Sequence, residues 1–244
     1  MPLLIDRTPH VITARINRPK AKNAVNFELM NRLEELLNEL ESSRDLRLFI
    51  LTGSNGSFIS GGDLREFHQL KMANEAKRMT RRMIAILERI RQLPFWTLAA
   101  LNGYAYGGGW EVASFFDFRV ASSSAKIGFT QGKFYLPPGW GGVSLLSELV
   151  GKNRALYWLA TQRVISAGDA LEAGFVDEIF TEATFDTELQ KRISGLTLND
   201  RTFIEYLKRS PELKDASKEI EPFSKFWESE EHQKRVDAFL NRKS

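Results

Sequence analysis

The sequence predicts an α/β chain built on a parallel sheet and finished by a helical C-terminal region. Strand-like and helix-like segments alternate from about residue 10 to residue 180. The stretches between successive strands are long enough for crossovers, which makes neighbouring strands parallel and their connections right-handed. Beyond about residue 185 strand signals stop, while apolar residues keep recurring at helical spacing. A chain of 244 residues is long for one compact domain and short for two. The division expected is therefore a core domain over 1–185 and a helical region over 186–244, serving oligomerisation or as a lid.

Taken in order, Val11 to Ile16 reads as the first strand, and Leu29, Leu33, Leu36, Leu37 and Leu40 then fall on one helix face behind the cap candidate Asn26. Arg47 to Thr52 is the next strand. Leu64 to Leu70 suggests a short helix. A long one follows through Met79, Met83, Ile86, Leu87, Ile90 and Leu93, stopped by Pro94. Trp96 to Leu101 and Phe118 to Ala121 are strands around a short helix that starts near Gly108. Ser166-Ala167-Gly168-Asp169 is a capping box with Asp in the place of Glu, opening a helix that ends at Gly174 before the strand-like Phe175 to Phe180. Phe223, Phe226 and Trp227, then Val236, Phe239 and Leu240, mark the closing amphipathic helices.

Two glycine clusters carry the chemistry. Ser60-Gly61-Gly62-Asp63 follows the strand-like Arg47 to Thr52, and Tyr106-Gly107-Gly108-Gly109-Trp110-Glu111 follows Thr97 to Tyr104. Each lies where a strand turns toward a helix, and such a turn presents bare backbone N–H groups at the positive end of the helix dipole. Two of them converging make an oxyanion hole, with the Glu111 carboxylate beside it to move a proton at an adjacent carbon. Asp63 also suits the cap of the helix that follows it. Tyr104, Tyr106, Phe134, Tyr135 and Trp140 are candidates to line an apolar pocket. His68 reads as a helix-surface residue near the first turn.

Composition narrows the remaining classes. Hydrophobic residues make up 43% and charged residues 27%, an ordinary globular balance. With no Cys there is no disulfide, thiolate nucleophile or cysteine metal site, which suits a reducing, cytoplasmic setting. His10, His68 and His232 have no ligand spacing, so no metal site is expected. Neither a signal peptide nor a membrane span is read. The net charge of +3 is spread along the chain, which gives no prompt for nucleic acid, although a few cations at one site suit a phosphorylated ligand.

The order of segments resembles the enoyl-CoA hydratase/isomerase (crotonase) superfamily. The residues that carry the likeness are Asn17-Arg18-Pro19-Lys20-Ala21-Lys22-Asn23-Ala24, Leu51-Thr52-Gly53 with Phe58 to Leu64, Asn102 to Glu111, Pro138-Gly139-Trp140-Gly141-Gly142 and Ala170 to Asp177. The tail pattern of Phe223, Trp227 and Ser229 is similar to that family's as well. The resemblance implies a crotonase-like spiral of ββα turns, a homotrimer or hexamer, and a coenzyme A thioester as ligand, an acyl carrier protein presenting the same arm. It implies Gly62 and Gly108 as the oxyanion-hole amides and substrate contacts at Lys20, Ala21, Lys22, Gly61, Asp63, Leu64, Tyr106 and Trp140. No cofactor is implied beyond the coenzyme A of the substrate.

One departure bears on mechanism. Hydratases of that family usually carry a second glutamate twenty positions after the first, and twenty positions after Glu111 stands Gln131. An amide orients a water but does not move a proton as a carboxylate does. Three readings follow: a one-glutamate hydratase or isomerase with Gln131 as a positioning group, a decarboxylase of a malonyl-type acyl-CoA such as methylmalonyl- or ethylmalonyl-CoA, or a binding protein that kept the fold without the chemistry. The first is the principal expectation.

Overall fold

In the computed structural model, which describes residues 1–241, the chain winds as a spiral with one strand of each turn in either of two sheets. It opens with β1 (Leu3–Arg7) and β2 (Val11–Ile16), then α1 (Phe27–Ser42). Three ββα turns follow. The first is β3 (Leu48–Gly53), β4 (Ser57–Ile59), α2 (Leu64–Phe67) and α3 (Ala73–Gln92). The second is β5 (Trp96–Leu101), β6 (Tyr104–Tyr106) and α4 (Gly108–Ser114), and the third is β7 (Phe118–Ser122), β8 (Lys126–Gly128), α5 (Gly142–Val150) and α6 (Lys152–Ala160). Then come β9 (Val164–Ser166), α7 (Ala167–Glu172), β10 (Glu178–Phe180), α8 (Phe185–Leu196), α9 (Arg201–Arg209), α10 (Ile220–Glu228) and α11 (Glu230–Leu240).

The larger sheet runs β1-β2-β3-β5-β7-β10, parallel from β2 onward, and the smaller runs β4-β6-β8-β9, parallel except for the last pair. Both faces of the larger sheet are buried, which is why β3 is buried throughout and apolar over Leu48 to Leu51. Phe49 and Leu51 point into the main core with Ala99 and Leu101, while Leu48, Ile50, Leu98 and Ala100 point to a second core closed by Phe185 and Leu189 of α8.

The helices behave as their sequences dictate. Asn26 caps α1, its side chain accepting from the Leu29 amide at 3.0 Å, and α1 buries Leu29, Met30, Leu33, Leu36, Leu37 and Leu40. Both halves of the Ser166/Asp169 capping box form. The helix after Gly62 is shorter than Leu64 to Leu70, ending at Phe67.

Two strand expectations are corrected. Phe175 to Phe180 is a strand only over Glu178–Phe180, because the Phe175 and Val176 amides turn back to the Ala170 carbonyl and close α7. The glycine clusters do not follow the long strands directly: β4 and β6 come between, and they belong to the second sheet. That detour brings both clusters to the same end of the smaller sheet, where β4 pairs with β6.

Candidate active site

Gly61 and Gly107 stand at the tops of the two turns with φ of +114° and +54°, a region where a side chain would be strained. Each reverses the chain so that the next amide is left without a partner. Neither the N–H of the half-buried Gly62 nor that of the buried Gly108 donates to another group among the described residues, although buried amides are nearly always paired. The turns lie close together: a methyl built on Gly61 would be 3.6 Å from the Gly108 nitrogen. Both border a cavity of about 450 Å³ that Glu111 and Gln131 also line.

Glu111 is carried inward by the first turn of α4 and is only 2% exposed. Its Oε1 accepts from the Gln131 side-chain amide at 3.1 Å and the Gly139 amide at 3.3 Å, and its Oε2 accepts from the Trp140 amide at 2.8 Å and the Gly142 amide at 3.2 Å. An ionised carboxylate has about four acceptor sites, and these four donors use them. Gly142 is the first residue of α5, so the carboxylate also lies at that helix's positive end. Burial dominates and pushes the carboxyl above its ordinary value, with the Trp140, Gly142, Gln131 and Gly139 donors pulling the other way.

The segment that Glu111 holds carries the Trp140 indole. That ring, 5% exposed with its residue, lies against both Gly108 and Gly62. A methyl on Gly108 would come within 2.1 Å of its Cζ3 and one on Gly62 within 3.5 Å of its Cζ2. Away from the glycines the wall is apolar, with Leu64, Phe67, Leu70, Met79, Phe134 and Leu136.

Of the residues singled out in the sequence, Gly61, Gly62, Leu64, Gly108, Glu111, Gln131, Phe134 and Trp140 meet at this cavity. Lys20, Ala21 and Lys22 lie beside it on a turn over Pro19–Ala21, tied by the Ser60 hydroxyl, which donates to the Ala21 carbonyl at 3.2 Å. Asn23 fixes that turn: fully buried, it donates to the Ser54 and Ser57 carbonyls at 2.9 and 2.6 Å and accepts from the Arg18 amide.

Asp63 is engaged elsewhere, capping α2 and pairing with Arg18 at 2.8 Å. Burial works to raise its carboxyl, and the Arg18 hydrogen bond and charge outweigh it, leaving it below its ordinary value. Tyr106 packs against Tyr104 at 5.3 Å and Tyr135 is 97% exposed, both off the cavity wall. His68, read as a surface residue, is exposed at the cavity's edge, its Nε2 3.0 Å from the Lys71 Nζ. Phe67, Leu70 and Met79 were not singled out for the site. Their signal was present, since they follow the first glycine turn on segments that read as helical, but it reads equally as plain core.

No cluster of three or more His, Cys, Asp or Glu suited to a metal occurs among the described residues, and no described helix is long and apolar enough to cross a membrane.

Comparison with known proteins is consistent across sequence and structure. The family model for enoyl-CoA hydratase/isomerase matches residues 6–244. A short-chain-enoyl-CoA hydratase of Clostridium acetobutylicum is 33% identical over 178 residues, 72% of this chain and 68% of the relative. A Mycobacterium bovis protein named "Probable enoyl-CoA hydratase" is 33% identical over 187 residues, 74% of this chain and 72% of the relative. The crystal structure of an enoyl-CoA hydratase from Bacillus anthracis superposes with a TM-score of 0.90 at 26% identity, over 100% of this chain and 97% of that one. With a matching family model over nearly all its length and the same fold, the chain belongs to the enoyl-CoA hydratase/isomerase (crotonase) superfamily.

Proposed function

We propose that the protein is an acyl-CoA enzyme of hydratase/isomerase type that stabilises a thioester enolate, with Gly62 and Gly108 as oxyanion donors and Glu111 as the single acid/base. The observation that carries this reading is the pair of unspent amides bordering the same cavity as the buried Glu111 carboxylate. A thioester carbonyl accepting from both amides gains most as negative charge develops on its oxygen. In double-bond migration, Glu111 takes the α-proton of a 3-enoyl thioester, the electron pair moves onto the carbonyl oxygen as a dienolate, and the same proton returns at the γ-carbon.

Oε1 is the oxygen for that transfer. It is held by the longest of the four hydrogen bonds and by one side-chain donor, whereas Oε2 is held by backbone alone. Gln131 is a positioning group. The turn at Lys20, Ala21 and Lys22 runs along the coenzyme A, whether the arm is free or on a carrier protein.

Decarboxylation of a malonyl-type thioester is the second reading, and the saturated carboxylate favours it. Loss of CO2 leaves its electron pair as the enolate with no base needed, so a carboxylate with every acceptor site filled is no hindrance. Chromatography with mass spectrometry on crotonyl-, 3-enoyl-, 3-hydroxyacyl-, methylmalonyl- and ethylmalonyl-CoA separates the two. Gain or loss of water or a moved double bond is expected, abolished by Glu111→Gln; loss of CO2 that survives Glu111→Gln replaces the first reading by the second. Silence across the panel despite coenzyme A binding rejects both.

The same reading makes residues 186–244 the assembly region of a homotrimer or hexamer. In the single chain Phe223, Trp227 and Phe239 are 60%, 56% and 69% exposed, more apolar surface than a helical pair usually leaves in water. Sedimentation equilibrium of the full chain is expected to return three or six times its 27.8 kDa mass, and a monomer would reject the assignment.

A further inference from the structure

We propose that Trp110 is a positioning residue: its indole N–H holds the Gln131 carbonyl oxygen and so commits the Gln131 amide to donate to Glu111. The inference rests on the proposed role of Glu111 and adds what decides the form in which that group waits.

The geometry is a chain of two hydrogen bonds. The Trp110 Nε1 donates to Gln131 Oε1 at 3.2 Å, and Gln131 Nε2 donates to Glu111 Oε1 at 3.1 Å. An indole nitrogen only donates, so the amide must turn its oxygen toward Trp110 and its NH2 toward the carboxylate. Were the amide reversed, two donors would meet at the indole and the Gln131 oxygen would face Glu111. That oxygen can accept only from a protonated carboxyl. Which way the amide lies thus chooses between the carboxylate, ready to take a proton, and the acid, ready to give one.

Trp110 suits the task because it cannot move. It is fully buried and packed in a tilted arrangement against Phe129, ring centroids 5.1 Å apart, and Phe129 is packed in the same way against Trp158 at 5.0 Å. Its place one residue before Glu111 in the first turn of α4 ties its position to that of the group it governs. No other charged side chain competes for the control. On the elements packed against α4 and Glu111, Lys133 and Glu148 are exposed, Tyr104 and Tyr106 of β6 lie off the cavity wall, and His68 at the cavity's edge is the other titratable group on the wall among the described residues. Burial and the four N–H donors are what act on the carboxyl.

The test is a titration of Glu111 by NMR of protein carrying side-chain carboxyl 13C-glutamate, its signal assigned by loss in Glu111→Gln. This readout needs no substrate, so it stands or fails separately from the acyl-CoA reading, which the substrate panel tests. Trp110→Phe keeps an aromatic ring and removes the N–H; benzothienylalanine at the same position keeps the full indole shape and removes only the N–H, should the Phe variant unfold. Either is expected to move the Glu111 midpoint up by about one pH unit, the size expected when one hydrogen bond to the charged form is lost. In the Gln131→Met background, where no amide is left to orient, the same change at Trp110 is expected to move nothing. An unmoved midpoint in the Gln131 protein, or an equal shift in both backgrounds, would overturn the proposal.

Discussion

Glu111→Gln is expected to lower turnover by about a hundredfold or more and to cost about 1–3 kcal/mol of stability as well. The first effect follows from removing the one carboxyl that lines the cavity among the described residues. The second follows from how that carboxyl is held. Four N–H groups converge on it, two per oxygen, and an amide brings only one oxygen. Its NH2 must face either the Trp140 and Gly142 amides or the Gln131 and Gly139 donors. Reversal of Gln131 would relieve its part of the second clash only by abandoning the Trp110 N–H, and the Gly139 amide would still face the new NH2. The variant therefore carries a buried donor–donor contact in either orientation, and the cost falls on the 139–142 segment. Turnover per folded molecule, measured beside a thermal melt, separates the effects. Unchanged turnover with a lowered melting temperature would make Glu111 an anchor of that segment and remove it from the chemistry.

How much of this was legible follows from where each signal lies. Glu111, Gly62 and Gly108 stand in short local patterns, and their roles as turn glycines and nearby carboxylate require only the neighbouring residues. Gln131 was legible as a departure from a spacing. The saturation of Glu111 was not, because three of its donors are backbone amides 28 to 31 residues further on, and a backbone amide has no side-chain signature. Asp63 illustrates the opposite difficulty. The local pattern marks it as the cap that it is, while the resemblance implies a substrate contact there, and its ion-pair partner Arg18 lies 45 residues earlier, out of reach of any local signal. The second sheet was missed for a physical reason too. Strands such as β4, β6 and β8 are three residues long, too short to display an alternation of faces, and only their pairing with one another defines them.

Gly108→Ala is expected to reduce kcat by about 10²–10³-fold, the scale of losing one oxyanion donor, even though the N–H itself remains. The new methyl would sit 2.1 Å from the Trp140 ring, far inside contact distance, so the indole has to leave its place against Gly108 and Gly62. It cannot leave freely, because its own amide is fixed to Glu111 at 2.8 Å and the Gly142 amide shares the same oxygen. The strain is therefore passed to the Gly62 and Gly108 amides, the two proposed to bind the developing negative charge. If the indole is the obstruction, removing it has to help. Trp140→Leu alone empties a buried position at a cost of roughly 2–4 kcal/mol, but introduced into Gly108→Ala it should restore part of the lost kcat, a strongly non-additive pair. Full additivity, each change costing the same with or without the other, would show that Trp140 does not shape the hole and that the Gly108 backbone itself had moved.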